Sequence, residues 1–176
     1  MANNSPKLQT TPNLDEIDLH LVHALQENAR RSNKELAALA GVAQSTCSER
    51  IRSLVARGVL TGFHAAVDQE LLGRPLEAII AVRLRPQSRE VVDAFRAFVL
   101  SLPETLTVFE VTGSSDCLLH LAVGDMRELR SFVLDHLTQR PEVADVQTST
   151  IYQRTSKYVP QPLGAPRVDR SKKQSH

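Results

Sequence analysis

The residues whose types and spacing could do chemistry lie together on one predicted helix. Cys47, Ile51 and Leu54 repeat at positions i, i+4 and i+7, so they share the face that packs on a core. At about 100° per residue, polar side chains fall on the opposite face, where a major-groove helix carries its base contacts. Arg52 has forked donors that match guanine, and Glu49 can accept from a cytosine amino group. The candidate DNA-binding residues are Gln44, Ser45, Thr46, Ser48, Glu49, Arg50 and Arg52.

The residues before this helix predict a helix-turn-helix. Ser32 and Glu35 have the spacing of a capping box, in which each side chain accepts from the other residue's backbone N–H, so a helix should begin there. Gly41 should end it, because glycine adopts the left-handed conformation without a Cβ penalty. Ala43 stands at the cap of the second helix and cannot accept from the open N–H groups. The same helical pair could dock on another protein, but the spacing of the motif favours DNA binding.

Basic residues are concentrated on the second helix of this unit. The whole chain has a formal net charge of only +1, so any DNA contact must come from charge arranged locally. Residues 44–57 contain Arg50, Arg52 and Arg57 against Glu49 alone, which predicts a positive field there. Arg50 lies at the margin of the buried stripe, so an ion pair with a neighbouring helix and a phosphate contact are both open.

Hydrophobic periodicity divides the chain into two structured regions between two polar tails. Helical spacing up to Arg57 gives way to alternating runs, and the first of these, residues 59–67, predicts a short β-ribbon, as a wing or a connecting strand. We therefore expect a flexible tail at 1–13, a winged helix-turn-helix at 14–67, a linker with a turn at 68–76, a second domain at 77–158 and a flexible basic tail at 159–176.

The second domain has strand and helix patterns in the order βαββαβ. Strands are predicted at 77–85, 106–112, 117–123 and 143–152, with an amphipathic helix after the first and after the third. This order predicts an α+β fold, a ferredoxin-like sandwich with its helices on one face of the sheet. The second of the two helices should bury an apolar stripe made of Met126, Leu129, Phe132, Val133 and Leu137.

The composition predicts a soluble globular protein of the cytoplasm. Hydrophobic residues make up 41% of the 176 positions, enough for a core, and no run approaches the roughly 18 apolar residues of a membrane span. The N-terminus lacks the apolar core of a signal peptide. Cys47 and Cys117 stand outside any metal-ligand spacing, so we expect both to be packing residues and expect neither a metal nor a cofactor.

Five motifs carry a resemblance to a known family. They are LDEID at 14–18, SNKEL at 32–36, the run 41–47 leading into ERI at 49–51, residues 54–60 with RGV at 57–59, and TGSSDCLL at 112–119. In their order and spacing, residues 14–158 resemble the Lrp/AsnC, or feast/famine, regulators of transcription. The resemblance implies a winged helix-turn-helix joined to an effector-binding domain. It also implies a homodimer formed through the sheet that assembles into tetramers or octamers, with double-stranded DNA and a small effector, usually an amino acid, as partners.

The resemblance further implies an effector cleft between dimers, lined by the loop at 113–116 and by the last strand. Asp116 could accept from the ammonium group of the effector, or it could be a turn aspartate that bonds its own backbone. Many members have an acidic or aromatic residue and then Tyr around this aspartate, where this chain has serines and Cys117, so the ligand is unusual or absent. The candidate effector-binding residues are Gly113, Ser114, Ser115, Asp116, Thr148 and Thr150.

Three other functions stay open at this point. Sirohaem decarboxylases are similar in their two-domain layout, and such an enzyme would need histidines at a pocket. The six histidines are scattered along the chain, and no phosphate-binding loop, catalytic triad or carboxylate pair appears. The second alternative is a nucleoid-organising protein that needs no effector. The third is a ligand sensor whose helical unit recruits another protein.

Overall fold

The structure is a computed structural model, and it describes residues 13–160. Those residues fall into two compact units: the first contains the residues up to Ala65 and those from Ser156 onward, and the second is Ala66–Thr155. The two predicted tails lie almost entirely outside the described residues. None of the helices within 13–160 is long and apolar enough to cross a membrane.

Three helices form the core of the first unit. They are α1 at Glu16–Glu27, α2 at Asn33–Ala40 and α3 at Gln44–Ala56. Each contributes to one apolar cluster, and α3 contributes the two side chains that are completely buried, Cys47 and Leu54. The helix-turn-helix expected from the periodicity is therefore present, with the predicted face of α3 packed inward. The rest of the buried cluster is Leu21, Ala24, Leu25, Leu36 and Ala37.

The caps explain where α2 and α3 begin and end. The backbone N–H of Ser32 donates to Glu35 Oε2 at 2.7 Å, and the N–H of Glu35 donates to Ser32 Oγ at 3.3 Å, which confirms the capping box. Gly41 ends α2 in the left-handed region with φ 68°. Ala43 occupies the cap of α3 without a side-chain bond, as its type requires. The turn is fastened instead by Asn33, whose Nδ2 donates to the carbonyl of Gln44 at 2.9 Å.

The β-ribbon predicted at 59–67 is wrong: all of these residues are described, and none belongs to a strand. The reason lies at the end of α3. The N–H groups of Val59 and Leu60 donate to the carbonyl of Leu54 at 2.9 and 3.2 Å, and both side chains pack on the helical core. These residues therefore complete the helix end and are not available for a strand ladder, although their pattern alternates. Residues 61–67 have no regular secondary structure and are exposed.

The second unit has the order βαββαβ that the sequence predicts. Its strands are β1 at Leu76–Leu84, β2 at Thr105–Glu110, β3 at Cys117–Val123 and β4 at Val143–Thr150. Helix α4, Arg89–Ser101, follows β1, and α5, Met126–Phe132, follows β3 and continues into a π-helical turn at Val133–Leu137. The sheet is antiparallel with the order β2-β3-β1-β4, which is the ferredoxin-like topology.

The helices of the second unit cover one face of its sheet. Alternate residues of β1 and β3, among them Ile80 and Leu119, are completely buried together with Phe95 and Val99 of α4. Met126 does not join them, because it begins α5 and is 60% exposed, contrary to the prediction. The other side of the sheet carries neither α4 nor α5, and we call it the second face. Its residues include Ile79, Ala81, Phe109, Leu118 and His120.

Candidate functional site

The exposed side of α3 carries most of the candidate DNA-binding residues. Cys47 and Leu54 face inward, which leaves the side chains on the opposite side of the helix accessible. Arg52 is among them, and its guanidinium makes no ion pair within residues 13–160; its single bond is a long one from Nε to the carbonyl of Ser48, at 3.4 Å. Gln44, Ser45, Glu49 and Arg52 are exposed, and Thr46, Ser48 and Arg50 are half-buried.

Arg50 forms ion pairs with α1. Of the two roles considered for it, an ion pair and a phosphate contact, the structure shows the ion pair. Its Nη1 lies 2.5 Å from Asp15 Oδ2 and 2.9 Å from Asp18 Oδ1. Arg57 donates to the other oxygen of Asp18 at 3.1 Å and to the carbonyl of Asn13 at 2.8 Å. The side chain of Asp18 is only 6% exposed, and it connects α1 to both Arg50 and Arg57. We call Asp15, Asp18, Arg50 and Arg57 the α1–α3 ion cluster.

The ion cluster lowers the pKa of its aspartate Asp15 and raises the pKa of its arginine Arg50, so both groups stay charged. The backbone N–H of Asp18, and then the guanidinium of Arg50, lower the pKa of Asp15. The bonds to Asp15 and Asp18 raise the pKa of Arg50. The positive field predicted for residues 44–57 is therefore smaller than the sequence indicates, since two of its three arginines face carboxylates. Arg52 is the cation of α3 that remains for an outside partner.

A cavity of about 410 Å³ lies in the second unit, at the end of β1. It is lined by Arg83, Arg85, Pro86, Gln87 and Gly113. Gly113 belongs to the predicted effector loop, so the structure brings that loop to a cavity. The other four lining residues were not among the candidates. Arg83 and Arg85 could have been found from the sequence, because two arginines at the end of a predicted strand indicate an anion site.

Asp116 braces the loop at this cavity. Its Oδ2 accepts from the N–H of Leu84 at 2.7 Å, and its Oδ1 accepts from Gln87 Nε2 at 2.6 Å. Its own N–H donates to the carbonyl of Val82 at 2.9 Å. Asp116 is thus neither an unengaged acceptor nor a turn aspartate that bonds its own backbone, since it fastens the start of β3 to the end of β1.

Ser114 completes the attachment of the loop. Its carbonyl accepts two bonds from Arg83, one from Nε at 2.8 Å and one from Nη2. The contribution of Ser114 is therefore its backbone carbonyl, and its hydroxyl is not used in this contact. Ser115 is half-buried between these two fixed residues, and Gly113 has φ 128°, a conformation that favours glycine.

Thr148 and Thr150 do not lie beside the loop within one protomer. They belong to β4, where they pair with Ile80 and Ala78, and β1 separates β4 from β3. Ile80 is four residues from Leu84, the residue that holds Asp116, which corresponds to roughly 13 Å along the strand. A single site that uses all six candidates would need a second copy of the chain.

A second cavity, of about 360 Å³, is lined by a histidine. His120 lines it together with Phe109 and Arg154. The ring Nε2 of His120 lies 2.6 Å from Glu77 Oε2, and Arg154 Nε lies 3.3 Å from the same oxygen. This cluster lies at the second face of the sheet and is separate from the loop cavity.

The two units together define a class of protein, the helix-turn-helix transcriptional regulators that carry a ligand-binding domain. An AsnC-type helix-turn-helix domain matches residues 14–55, and an Lrp/AsnC ligand-binding domain matches residues 77–160. The chain belongs to the Lrp/AsnC family of transcriptional regulators.

Individual relatives agree with this assignment over most of their length. The chain is 37% identical to the HTH-type transcriptional regulator AldR of Mycolicibacterium smegmatis over 149 residues, which is 85% of this chain and 87% of that protein. It is 33% identical to the leucine-responsive regulatory protein of Haemophilus influenzae, over 78% of this chain and 83% of that one. The crystal structure of a transcriptional regulator of Neisseria meningitidis in complex with L-Met superposes with a TM-score of 0.78 at 32% identity, covering 86% of this chain and 98% of that chain.

Proposed function

We propose that this regulator binds double-stranded DNA sequence-specifically through α3, and that a small effector, an amino acid, changes its DNA affinity or its oligomeric state. The observation that carries the proposal is the exposed reading face of α3, supported on its other side by a buried core and by the ion cluster. Arg52 and Glu49 are its base-reading residues, because their side chains are exposed and match guanine and cytosine edges.

The other members of the candidate set have supporting roles in this proposal. Gln44 and Ser45 lie exposed at the first turn of α3, where open backbone N–H groups also favour an anion such as phosphate. Thr46 and Ser48 are half-buried, so they contact DNA only at the edge of the helix. Arg50 positions α3 through Asp15 and Asp18 and is not a base reader.

The effector site is the loop cavity, completed by a second copy of the chain. Gly113 of the loop lines the cavity, whereas Thr148 and Thr150 lie across β1, so we assign the two threonines to the neighbouring copy. The L-Met complex of the Neisseria regulator supports an amino acid as the ligand of such a domain. Assembly proceeds through a homodimer to a tetramer or octamer, in the cytoplasm where the DNA lies.

The DNA half of the proposal is tested by selection from fragments of the source genome, followed by fluorescence anisotropy on the selected duplex. Affinity should fall steeply as salt rises, because each neutralised phosphate releases counterions. The selected duplex should also bind more tightly than a scrambled duplex of equal length. Equal affinity for both would indicate a nucleoid-organising protein, and no binding even at low salt would reject DNA binding altogether.

The effector half is tested by a thermal-shift screen against the twenty amino acids. A ligand that binds the folded state raises the melting temperature, and the same compound should change DNA affinity or sedimentation. If a stabilising ligand changes neither, the cavity binds a ligand but does not regulate. If none of the twenty stabilises the protein, the amino-acid assignment is wrong.

A catalytic function is the second candidate, and the His120 cavity is the observation in its favour among residues 13–160. The ring of His120 is tied to Glu77, and the relatives at 30% identity or more whose names state a role are named as regulators, so we propose that the chain is not an enzyme and needs no cofactor. A haem-type absorption band in the purified protein would contradict this.

A further inference from the structure

The loop cavity has an uncompensated positive charge. Among residues 13–160, the guanidinium of Arg85 has neither an ion pair nor a hydrogen bond, while its backbone N–H donates to the carbonyl of Glu142 at 2.8 Å. Arg83, the other cation of the lining, is turned toward the carbonyl of Ser114. Arg85 is an exposed residue of the cavity lining, and its five donors have no partner from its own unit.

Of the acidic groups near the cavity, two are already engaged and a third lies outside the lining. Both oxygens of Asp116 accept bonds, one from backbone and one from Gln87. Glu142 pairs with Arg140 at 2.6 Å. Asp145 is the cross-strand neighbour of Arg83 but does not line the cavity. The lining itself contains no carboxylate for an incoming ammonium group, whereas an incoming carboxylate meets the guanidinium of Arg85.

We propose that the cavity recognises its ligand through the ligand's carboxylate, held by Arg85, and that Asp116 is a brace and not the acceptor for an ammonium group. Arginine and carboxylate match in geometry, because two parallel N–H groups reach the two oxygens. The ligand class is then the small carboxylates as a whole, so a 2-oxo acid binds as well as the amino acid with the same side chain. This inference rests on the effector site proposed above.

The test uses matched sets of three probes that share a side chain and differ only in their ammonium, oxo and carboxylate groups. For the side chains of alanine, leucine and methionine, the full-length protein is titrated with the amino acid, the corresponding 2-oxo acid and the corresponding amine without a carboxylate, and binding is followed by calorimetry. In at least one set the amino acid and the 2-oxo acid should bind within about tenfold of each other, and the amine should not bind. An amine that binds as well as its amino acid overturns the inference, and so does the absence of carboxylate binding in all three sets.

Two substitutions separate Arg85 from Asp116. Arg85→Gln should weaken binding of the carboxylates at least tenfold, and Arg130→Gln, at an exposed arginine of α5 outside the cavity, should not. Asp116→Asn retains an oxygen for the N–H of Leu84 and removes a negative charge, so it should tighten carboxylate binding by roughly two- to fivefold, the size of one screened unit charge. Loss of amino-acid binding in Asp116→Asn with a folded loop would show that Asp116 holds the ammonium group.

The outcomes keep this inference apart from the proposed function. Titrations of the ligand need no DNA, so carboxylate selectivity can fail while effector-regulated DNA binding stands. Conversely, the carboxylates can bind as expected while DNA affinity stays unchanged, which would reject regulation and retain the carboxylate site.

Discussion

Arg50 and Arg52 lie two positions apart on α3 and have different surroundings. Arg50 contacts two carboxylates of α1, whereas Arg52 is exposed with a single long bond to its own helix. Periodicity could place Arg50 at the margin of the buried face, because that depends only on the helical repeat. It could not identify Asp15 and Asp18 as partners, since the crossing of α1 and α3 depends on the packing of the whole unit.

The ion cluster should be a source of stability for the first unit. Asp18→Asn removes a buried charge that bonds two arginines, and we expect a loss of about 1–3 kcal/mol in the free energy of unfolding, because the two arginines are about one-third exposed and Arg50 keeps its bond to Asp15. Chemical denaturation followed by circular dichroism measures it. Asp68→Asn, at an exposed aspartate that only caps a turn, is the control. A loss below about 1 kcal/mol for Asp18→Asn would mean that the cluster is not stabilising.

The two thiols should be unreactive in the folded protein. Burial, and then the charges of Glu110 and Asp116, raise the pKa of Cys117 to about 11, and burial raises the pKa of Cys47. At pH 8 the thiolate of Cys117 is then about one molecule in a thousand. An aromatic disulfide reagent should label both cysteines only after unfolding, and labelling of the native protein at the rate of a free thiol would contradict this.

The raised pKa of the cysteines also means that the free energy of unfolding falls as the pH rises above the ordinary thiol range, because the thiols of the unfolded chain ionise first.

At the scale of elements, sequence motifs predicted the ends of a helix correctly where the hydrogen bonds join residues of that same helix and its caps. The capping box at Ser32 and the left-handed Gly41 could be predicted because each depends on a few neighbouring residues. The ribbon at 59–67 could not be excluded from the sequence. The N–H groups of Val59 and Leu60 bond to the carbonyl of Leu54 in α3, and the alternating pattern gives no sign of those bonds. Met126 is a similar case, because its period fits the core stripe but its place at the first turn exposes it.

The missing cap of α3 is open to improvement. Ala43 already has the extended backbone of a cap residue, with φ −66° and ψ 152°, and its side chain is exposed. Ala43→Ser should therefore raise the free energy of unfolding by about 1 kcal/mol, because the hydroxyl can accept from an open N–H. Ser32→Ala should lower it by a similar amount. Ala56→Ser, at the exposed last residue of α3, is the control, and equal effects at positions 43 and 56 would contradict a capping mechanism.

At the scale of the whole molecule, one copy of the chain leaves the proposed effector site incomplete. The βαββαβ order and the sheet topology could be predicted from strand and helix periods alone, because each element packs within its own unit. The separation of Thr148 and Thr150 from the loop could not, since it depends on strand order. In the oligomer that we propose, the two halves of the site come from two copies.

Dimerisation should depend on the second face of the sheet. Phe109 lies there and is 49% exposed, so Phe109→Glu should leave the protomer folded and place an unpaired charge in the interface. We expect the dimer dissociation constant to rise at least about 100-fold, measured by sedimentation equilibrium. Leu134→Glu is the control, because Leu134 is 44% exposed in the helical layer. Equal effects of the two substitutions would mean that the dimer does not use the second face.

The most direct test of DNA reading by α3 is the base-preference profile of Arg52→Ala, measured by competition among all single-base variants of the selected duplex. If Arg52 forks onto a guanine, the substitution should cost about 1–3 kcal/mol on the cognate duplex and remove the preference at one base pair per half-site, while low-salt binding to scrambled DNA persists. Arg130→Ala should leave the profile as it is. An unchanged profile for Arg52→Ala, in a protein that still binds the selected duplex, would contradict the account.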